Sequence, residues 1–150
     1  MMNIINEMTI TFKALSENEG FARSCVAAFC VQLNPTLDQI TDIKTAVSEA
    51  VTNSVVHAYP KSEGEISINV KLTQDSAIIA VSDFGIGIAN FEKARQPFFT
   101  TKPNEERSGM GFTVMESFMD KVTLLKNKGS GITVLMEKKF FDAEKKIIGG

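Results

Sequence analysis

The stretch Glu65–Gly85, EISINVKLTQDSAIIAVSDFG, carries the reading on which the fold class turns. Ile66, Ile68, Val70 and Leu72 alternate with Ser67, Asn69 and Lys71, the two-residue period of a strand with one buried face. Ala77 to Val81 is a continuous apolar run, suited to a central strand. Gln74-Asp75-Ser76 lies between them as a turn, so the two segments read as a hairpin. The second strand runs into Asp83-Phe84-Gly85-Ile86-Gly87. Glycines there allow close backbone approach and unusual dihedral angles. An acid at the end of a central strand can accept a hydrogen bond from an exocyclic amine such as that of adenine. Taken alone, this Asp-x-Gly-x-Gly also fits an ordinary turn after a strand.

Working back towards the N-terminus, Val47, Ala50, Val51, Ser54 and Val55 extend a helical period that begins at Ile40 and Ile43. This predicts a helix capped by Thr36 and stopped near Tyr59 by Pro60. An earlier helix is predicted from Phe21, Cys25, Ala28, Phe29 and Leu33, with Ser16 and Glu19 as a capping box and Asn34-Pro35 as its end. Before it, Met8, Ile10, Phe12 and Ala14 alternate with polar residues as a half-buried strand.

Towards the C-terminus, periodicity fails from Asp83 to about Ser108, an unusually long aperiodic stretch for a compact domain. After Gly111 a short helix is predicted, with Val114, Met115 and Phe118 on one side. Lys121 to Lys126 and Ile132 to Phe140 then read as strands around a glycine-containing turn, Asn127 to Gly131. The polar tail from Asp142 to Gly150 is expected to fray. Hairpins with helices between them predict an α+β fold, a two-layer α/β sandwich. Its helices pack on one face of a mixed, mostly antiparallel sheet.

The 150 residues fit a single domain spanning 1–150. A chain of this length buries roughly 70% of its unfolded surface, enough for one core. A net charge of −2 gives no electrostatic reason to expect nucleic-acid binding. No apolar run approaches the ~20 residues of a membrane span. Met1 to Glu7 lacks the regions of a signal peptide, so a cytoplasmic protein is expected. Cys25 and Cys30, five apart on one helix, would point about 140° apart, which disfavours a disulfide. One histidine and no Cys-x-x-Cys pair argue against structural zinc.

Three polar elements stand out. Glu49 and Asn53, four apart, share a helix face within Thr45–His57, TAVSEAVTNSVVH. Their oxygens are hard ligands suited to Mg²⁺, and a carboxylate can deprotonate an attacking hydroxyl. Alone, the pair also fits the edge of a solvated helix face. Asp83, Gly85 and Gly87 form the second element. The third is Gly109-Met110-Gly111-Phe112, where glycine before a helix offers free N–H groups to phosphate. Neither a Rossmann Gly-x-Gly-x-x-Gly nor a P-loop occurs.

Together, Glu-x-x-x-Asn on a helix, Asp-x-Gly-x-Gly after a strand and Gly-x-Gly before a helix resemble the N, G1 and G2 boxes of the GHKL family of ATPases and kinases. The likeness covers nearly the whole chain. It implies that about Asn90 to Ser108 is an ATP lid. Phe21-Ala22-Arg23, Pro97–Lys102 (PFFTTK) and Ser108–Thr113 (SGMGFT) extend the resemblance to the small anti-sigma serine kinases of spore-forming bacteria, of the sporulation type, with the general-stress type as near neighbour. This implies ATP and Mg²⁺ as cofactors. It gives Mg²⁺ coordination to Asn53, the general-base role to Glu49 and adenine reading to Asp83. Gly85 belongs to the same box, Gly87 lies under the base, and Thr133 supports the Asp83 contact. Gly109 and Gly111 would meet the phosphates, and Lys102 and Arg107 fit either additions from the lid or solvated charge. It further implies a homodimer that binds a sigma factor and phosphorylates an anti-anti-sigma factor on serine, with Arg23 as a partner contact. His57 fits either a favourable helix-end charge or a functional group. Phe98 and Phe99 fit either anchors of the lid or a partner contact.

Overall fold

The computed structural model describes residues 3–59, 64–85, 111–127 and 130–141. Its strands are β1 (Asn6–Lys13), β2 (Glu65–Leu72), β3 (Ser76–Asp83), β4 (Lys121–Lys126) and β5 (Ile132–Lys139). They form one sheet in the order β1-β2-β3-β5-β4, and all four pairings are antiparallel. The helices are α1 (Asn18–Cys30), α2 (Leu37–Asn53) and α3 (Gly111–Phe118).

The two-residue period of β2 sends Ile66, Ile68, Val70 and Leu72 to a fully buried face. Ala77, Ile79 and Val81 continue that face on β3, and Val134 and Met136 on β5. Helices cover it through Ala22, Val26 and Cys30 of α1, Ile43, Val47 and Val51 of α2, and Phe112 and Met115 of α3. Each buried Val, Leu, Ile, Phe or Met among them contributes about 1.5–3 kcal/mol by leaving water. On the opposite face, register places Ser67 beside Ser82 and Ser82 beside Thr133. The two layers are therefore those the hydrophobic pattern predicts.

Local differences have physical reasons. Thr36 caps α2 in a full capping box, accepting from the Gln39 N–H at 3.1 Å while the Gln39 side chain accepts from the Thr36 N–H at 2.8 Å. The Gln39 amide also donates to the Phe140 carbonyl at 2.9 Å. The box expected at Ser16 and Glu19 does not form. Glu17 occupies the cap position of α1 without a side-chain bond, and Glu19 pairs with Arg23 at 2.6 Å instead. Helix α1 closes through a 3-10 turn, Val31–Leu33, and the left-handed Asn34. The α3 face differs too. Phe112, Met115 and the following Met119 are buried, whereas Phe118 is 37% exposed. Helix α2 does not run uniformly to Tyr59, because Ser54–Ala58 form a π-turn.

Cys30 is buried and Cys25 half-buried, both free thiols, and burial pushes the Cys30 thiol up to about 12. The tail from residue 142 and the segment between the glycine boxes lie outside the described residues.

Ile68→Ala is expected to cost about 2–5 kcal/mol in urea unfolding, from lost transfer energy and the cavity left behind. Leu37→Ala, at a side chain 86% exposed, is expected to stay within about 0.5 kcal/mol.

Candidate functional site

Asp83 ends the central strand β3 and is 1% exposed. A buried carboxylate is costly unless its oxygens are hydrogen-bonded. One oxygen, Oδ1, accepts from the N–H groups of Gly85 at 3.1 Å and Ile132 at 3.3 Å. The other, Oδ2, accepts from the Ser54 hydroxyl at 3.2 Å. Burial pushes the Asp83 carboxyl above its ordinary 3.8, and the bonds from Gly85, Ile132 and Ser54 pull the other way without cancelling it.

The Ser54 hydroxyl ties two of the three sequence boxes together. Ser54 opens the π-turn directly after Asn53, the last residue of α2. Its hydroxyl is buried and reaches across to β3. Such turns replace regular helix in short pieces, often at functional sites. Asn53 therefore lies next in sequence to the residue that holds Asp83. Glu49, one helical turn earlier, is 7% exposed.

Asn53 itself is informative. Its amide nitrogen and oxygen are both inaccessible and have no hydrogen-bond partner among the described residues. A buried amide without a partner among the described residues is expensive. An amide oxygen is a hard donor of the kind Mg²⁺ takes, and the residues present fit that ion.

The turn between β4 and β5 closes the site from the other side. The Asn127 amide donates to the Asp83 carbonyl at 2.6 Å, and the Thr133 hydroxyl donates to the Asn127 side-chain oxygen at 2.5 Å. Thr133 also shares a 2.7 Å hydrogen bond with Ser82. Its support of Asp83 thus runs through Asn127 to the main chain, and the direct carboxylate contact belongs to Ser54. Gly131 has φ +87°, and a Cβ there would collide with the Asp83 carbonyl. Only glycine fits both conditions.

Of the other expected site residues, Gly85 donates to Asp83 as above, and Gly111 is the first residue of α3. Gly87, Lys102, Arg107 and Gly109 lie outside the described residues, as do Phe98 and Phe99. Arg23 is on α1 in its ion pair with Glu19. His57 is half-buried in the π-turn. Ser54 and Asn127 are the residues that motif reasoning missed. Ser54 shares the apolar stripe of its helix, where a small hydroxyl is the one polar member, and that was the available signal.

This arrangement is matched by known proteins. The pattern of the histidine kinase-like ATPase domain matches residues 12–138. The chain belongs to that family. It is 54% identical over 136 residues to the anti-sigma F factor of Clostridium beijerinckii, covering 90% of this chain and 95% of that protein. It is 53% identical over 134 residues to the anti-sigma F factor of Bacillus thuringiensis, covering 89% and 92%. Among solved structures, the RsbU and RsbW domains of a Mycobacterium tuberculosis protein align with TM-score 0.63 at 19% identity, covering 89% of this chain and 32% of that one. The catalytic domain of histidine kinase ThkA aligns with TM-score 0.57 at 19% identity, covering 89% and 98%. These two likenesses concern the fold.

Asp83→Asn can keep all three hydrogen bonds, because the Ser54 hydroxyl is able to turn and accept. The substitution also removes a buried charge. Since the folded carboxyl titrates above its unfolded value, wild type gains stability relative to Asp83→Asn as pH falls through the folded value towards 3.8. Above that window the difference is constant. Urea unfolding of both proteins between about pH 3.5 and 7 checks this. A wild type that loses stability relative to the variant over that window contradicts the raised value. Gly131→Ala is expected to destabilise by at least about 2 kcal/mol in the same assay.

Proposed function

We propose that this protein is a cytoplasmic anti-sigma kinase. It binds and inhibits an RNA polymerase sigma factor of the sporulation sigma-F type. It also uses ATP and Mg²⁺ to phosphorylate a serine of an anti-anti-sigma factor. The observation that carries the reading is the juxtaposition of Asn53, Ser54 and Asp83, which unites the N and G1 boxes at one buried place. The identity to anti-sigma F factors, 54% over nearly their full length, supports the choice of partners.

In this reading the Asp83 carboxylate accepts a hydrogen bond from the adenine amino group, and Gly85 and Gly87 let the base approach the backbone. Asn53 holds Mg²⁺ through its amide oxygen. The N–H groups of Gly109 and of Gly111, the first residue of α3, would meet the phosphates, where a helix N-terminus favours negative charge. Lys102 and Arg107 add positive charge from the lid. A bound Mg²⁺ neutralises charge on the transferring phosphoryl group. Glu49, buried one turn from Asn53, accepts the proton of the substrate serine hydroxyl. Thr133 braces the base-reading end through Asn127. Arg23, on the exposed side of α1, meets a protein partner, and the chain acts as a homodimer.

Position and electrostatics supply most of the acceleration in phosphoryl transfer, so this set of groups suffices without a covalent enzyme intermediate. A histidine-kinase role would use the same nucleotide site but place phosphate on histidine. Acid-stable phosphate on a serine of the partner separates the two chemistries.

Calorimetry of ATP with and without Mg²⁺ tests the site first. Wild type is expected to bind in a Mg²⁺-dependent way, and Asn53→Ala to lose that dependence with about a tenfold or greater loss of affinity in Mg²⁺. Wild type that binds no adenine nucleotide sinks the proposal. Glu49→Ala is expected to retain ATP affinity and lose about 10²-fold or more in phosphorylation of an anti-anti-sigma factor from a similar bacterium. Retained phosphorylation removes Glu49 from the base role.

A further inference from the structure

The strand ladder stops at Asp83, and the next peptide unit has no strand partner. Its polar groups are taken up by side chains from two other parts of the chain. The Phe84 N–H donates to the Tyr59 phenol oxygen at 2.8 Å, and the Phe84 carbonyl accepts from the Ser130 hydroxyl at 2.8 Å. The Tyr59 hydroxyl donates in turn to the Glu65 carbonyl, also at 2.8 Å. A phenol has one proton and can still accept, so this side chain uses both capacities at once. Its ring is held closely, because a Cβ at Gly64 would collide with it.

Tyr59 follows the π-turn, and Ser130 lies in the turn between β4 and β5. The Phe84 main chain is thus gripped from both sides of the site, immediately after the carboxylate. The Phe84 ring is 58% exposed, so packing of that ring does little to hold the segment. The two hydroxyls, together with the Asn127 amide on the Asp83 carbonyl, fix the path from Asp83 to Gly85, whose N–H also bonds the carboxylate.

We infer that Tyr59 and Ser130 are positioning residues for base recognition, acting through the Phe84 peptide to aim the Asp83 carboxylate at the purine 6-amino group. The inference rests on the reading of Asp83 as the adenine acceptor. A hydrogen-bonding site rejects a ligand lacking its partner group only while its own polar atom is held in place. Loosening the grip should therefore cost discrimination between purines more than it costs phosphate binding.

Inosine triphosphate shares the sugar and phosphates of ATP and has an oxo group in place of the 6-amino group. Calorimetric affinities for both nucleotides in Mg²⁺ would be measured for wild type, Asp83→Asn, Tyr59→Phe and Ser130→Ala. Tyr59→Phe and Ser130→Ala are each expected to lower the ATP-to-inosine triphosphate ratio about three- to tenfold. The loss should fall on ATP, with inosine triphosphate affinity changing less than about twofold. A merely structural role weakens both nucleotides alike or neither, and either result overturns the inference. Ser130 lies in an exposed turn, so Ser130→Ala decides the matter alone if Tyr59→Phe fails to fold. Asp83→Asn separates the two levels. If it keeps the wild-type ratio, the adenine reading itself is wrong and the inference goes with it. If it abolishes the ratio while the two hydroxyl variants preserve it, only the positioning inference is overturned.

Discussion

Burying the Asp83 carboxylate is the constraint around which the rest of the structure is arranged. A charge at 1% exposure requires donors with fixed positions, and no single element of this fold can supply them. One comes from the turn after β3, one from the first residue of β5, and one from the residue after α2. The two layers must therefore be in register with one another before the carboxylate is satisfied. Even then burial outweighs the donors, since the group remains harder to ionise than a free aspartate.

The layered architecture was legible in the sequence because it rests on periods. The alternation of Ile66, Ile68, Val70 and Leu72, and the helical recurrence from Ile40 to Val55, each mark one apolar face. The positions Glu49, Asn53 and Asp83 stood out by type and spacing, and the structure brings Ser54, the neighbour of Asn53, onto Asp83. What escaped was whatever depends on contacts between distant segments. Ser54 and Asn127 bond Asp83 from 29 and 44 residues away, and the one local hint is the Ser54 hydroxyl in an otherwise apolar stripe. The cap of α1 escaped in a different way. Ser16-x-x-Glu19 has the composition of a capping box, but Glu19 gains more from Arg23 one turn along α1. The π-turn escaped because its residues continue the apolar pattern of the helix before it.

The site also divides its labour between kinds of structure. The Asp83 side is built on strand ends and turns stitched by side-chain hydroxyls and amides. The Glu49 and Asn53 side is built on a helix, where the four-residue spacing keeps the two together. The Ser54 hydroxyl is the seam between them. A shift of α2 along its axis would move Asn53 and break the Ser54 contact to Asp83 together.

Gln39 performs two tasks of opposite sense: its oxygen accepts from the Thr36 N–H, and its nitrogen donates to the Phe140 carbonyl. Glutamate is a common residue at this position of a capping box, and it would serve the first task equally well. It would then turn a second bare oxygen towards a carbonyl, replacing an attraction with a repulsion. The amide is thus a chemical choice imposed by a neighbour 101 residues away. That single position therefore encodes whether the start of the long helix and the end of the sheet are fastened to each other or merely adjacent.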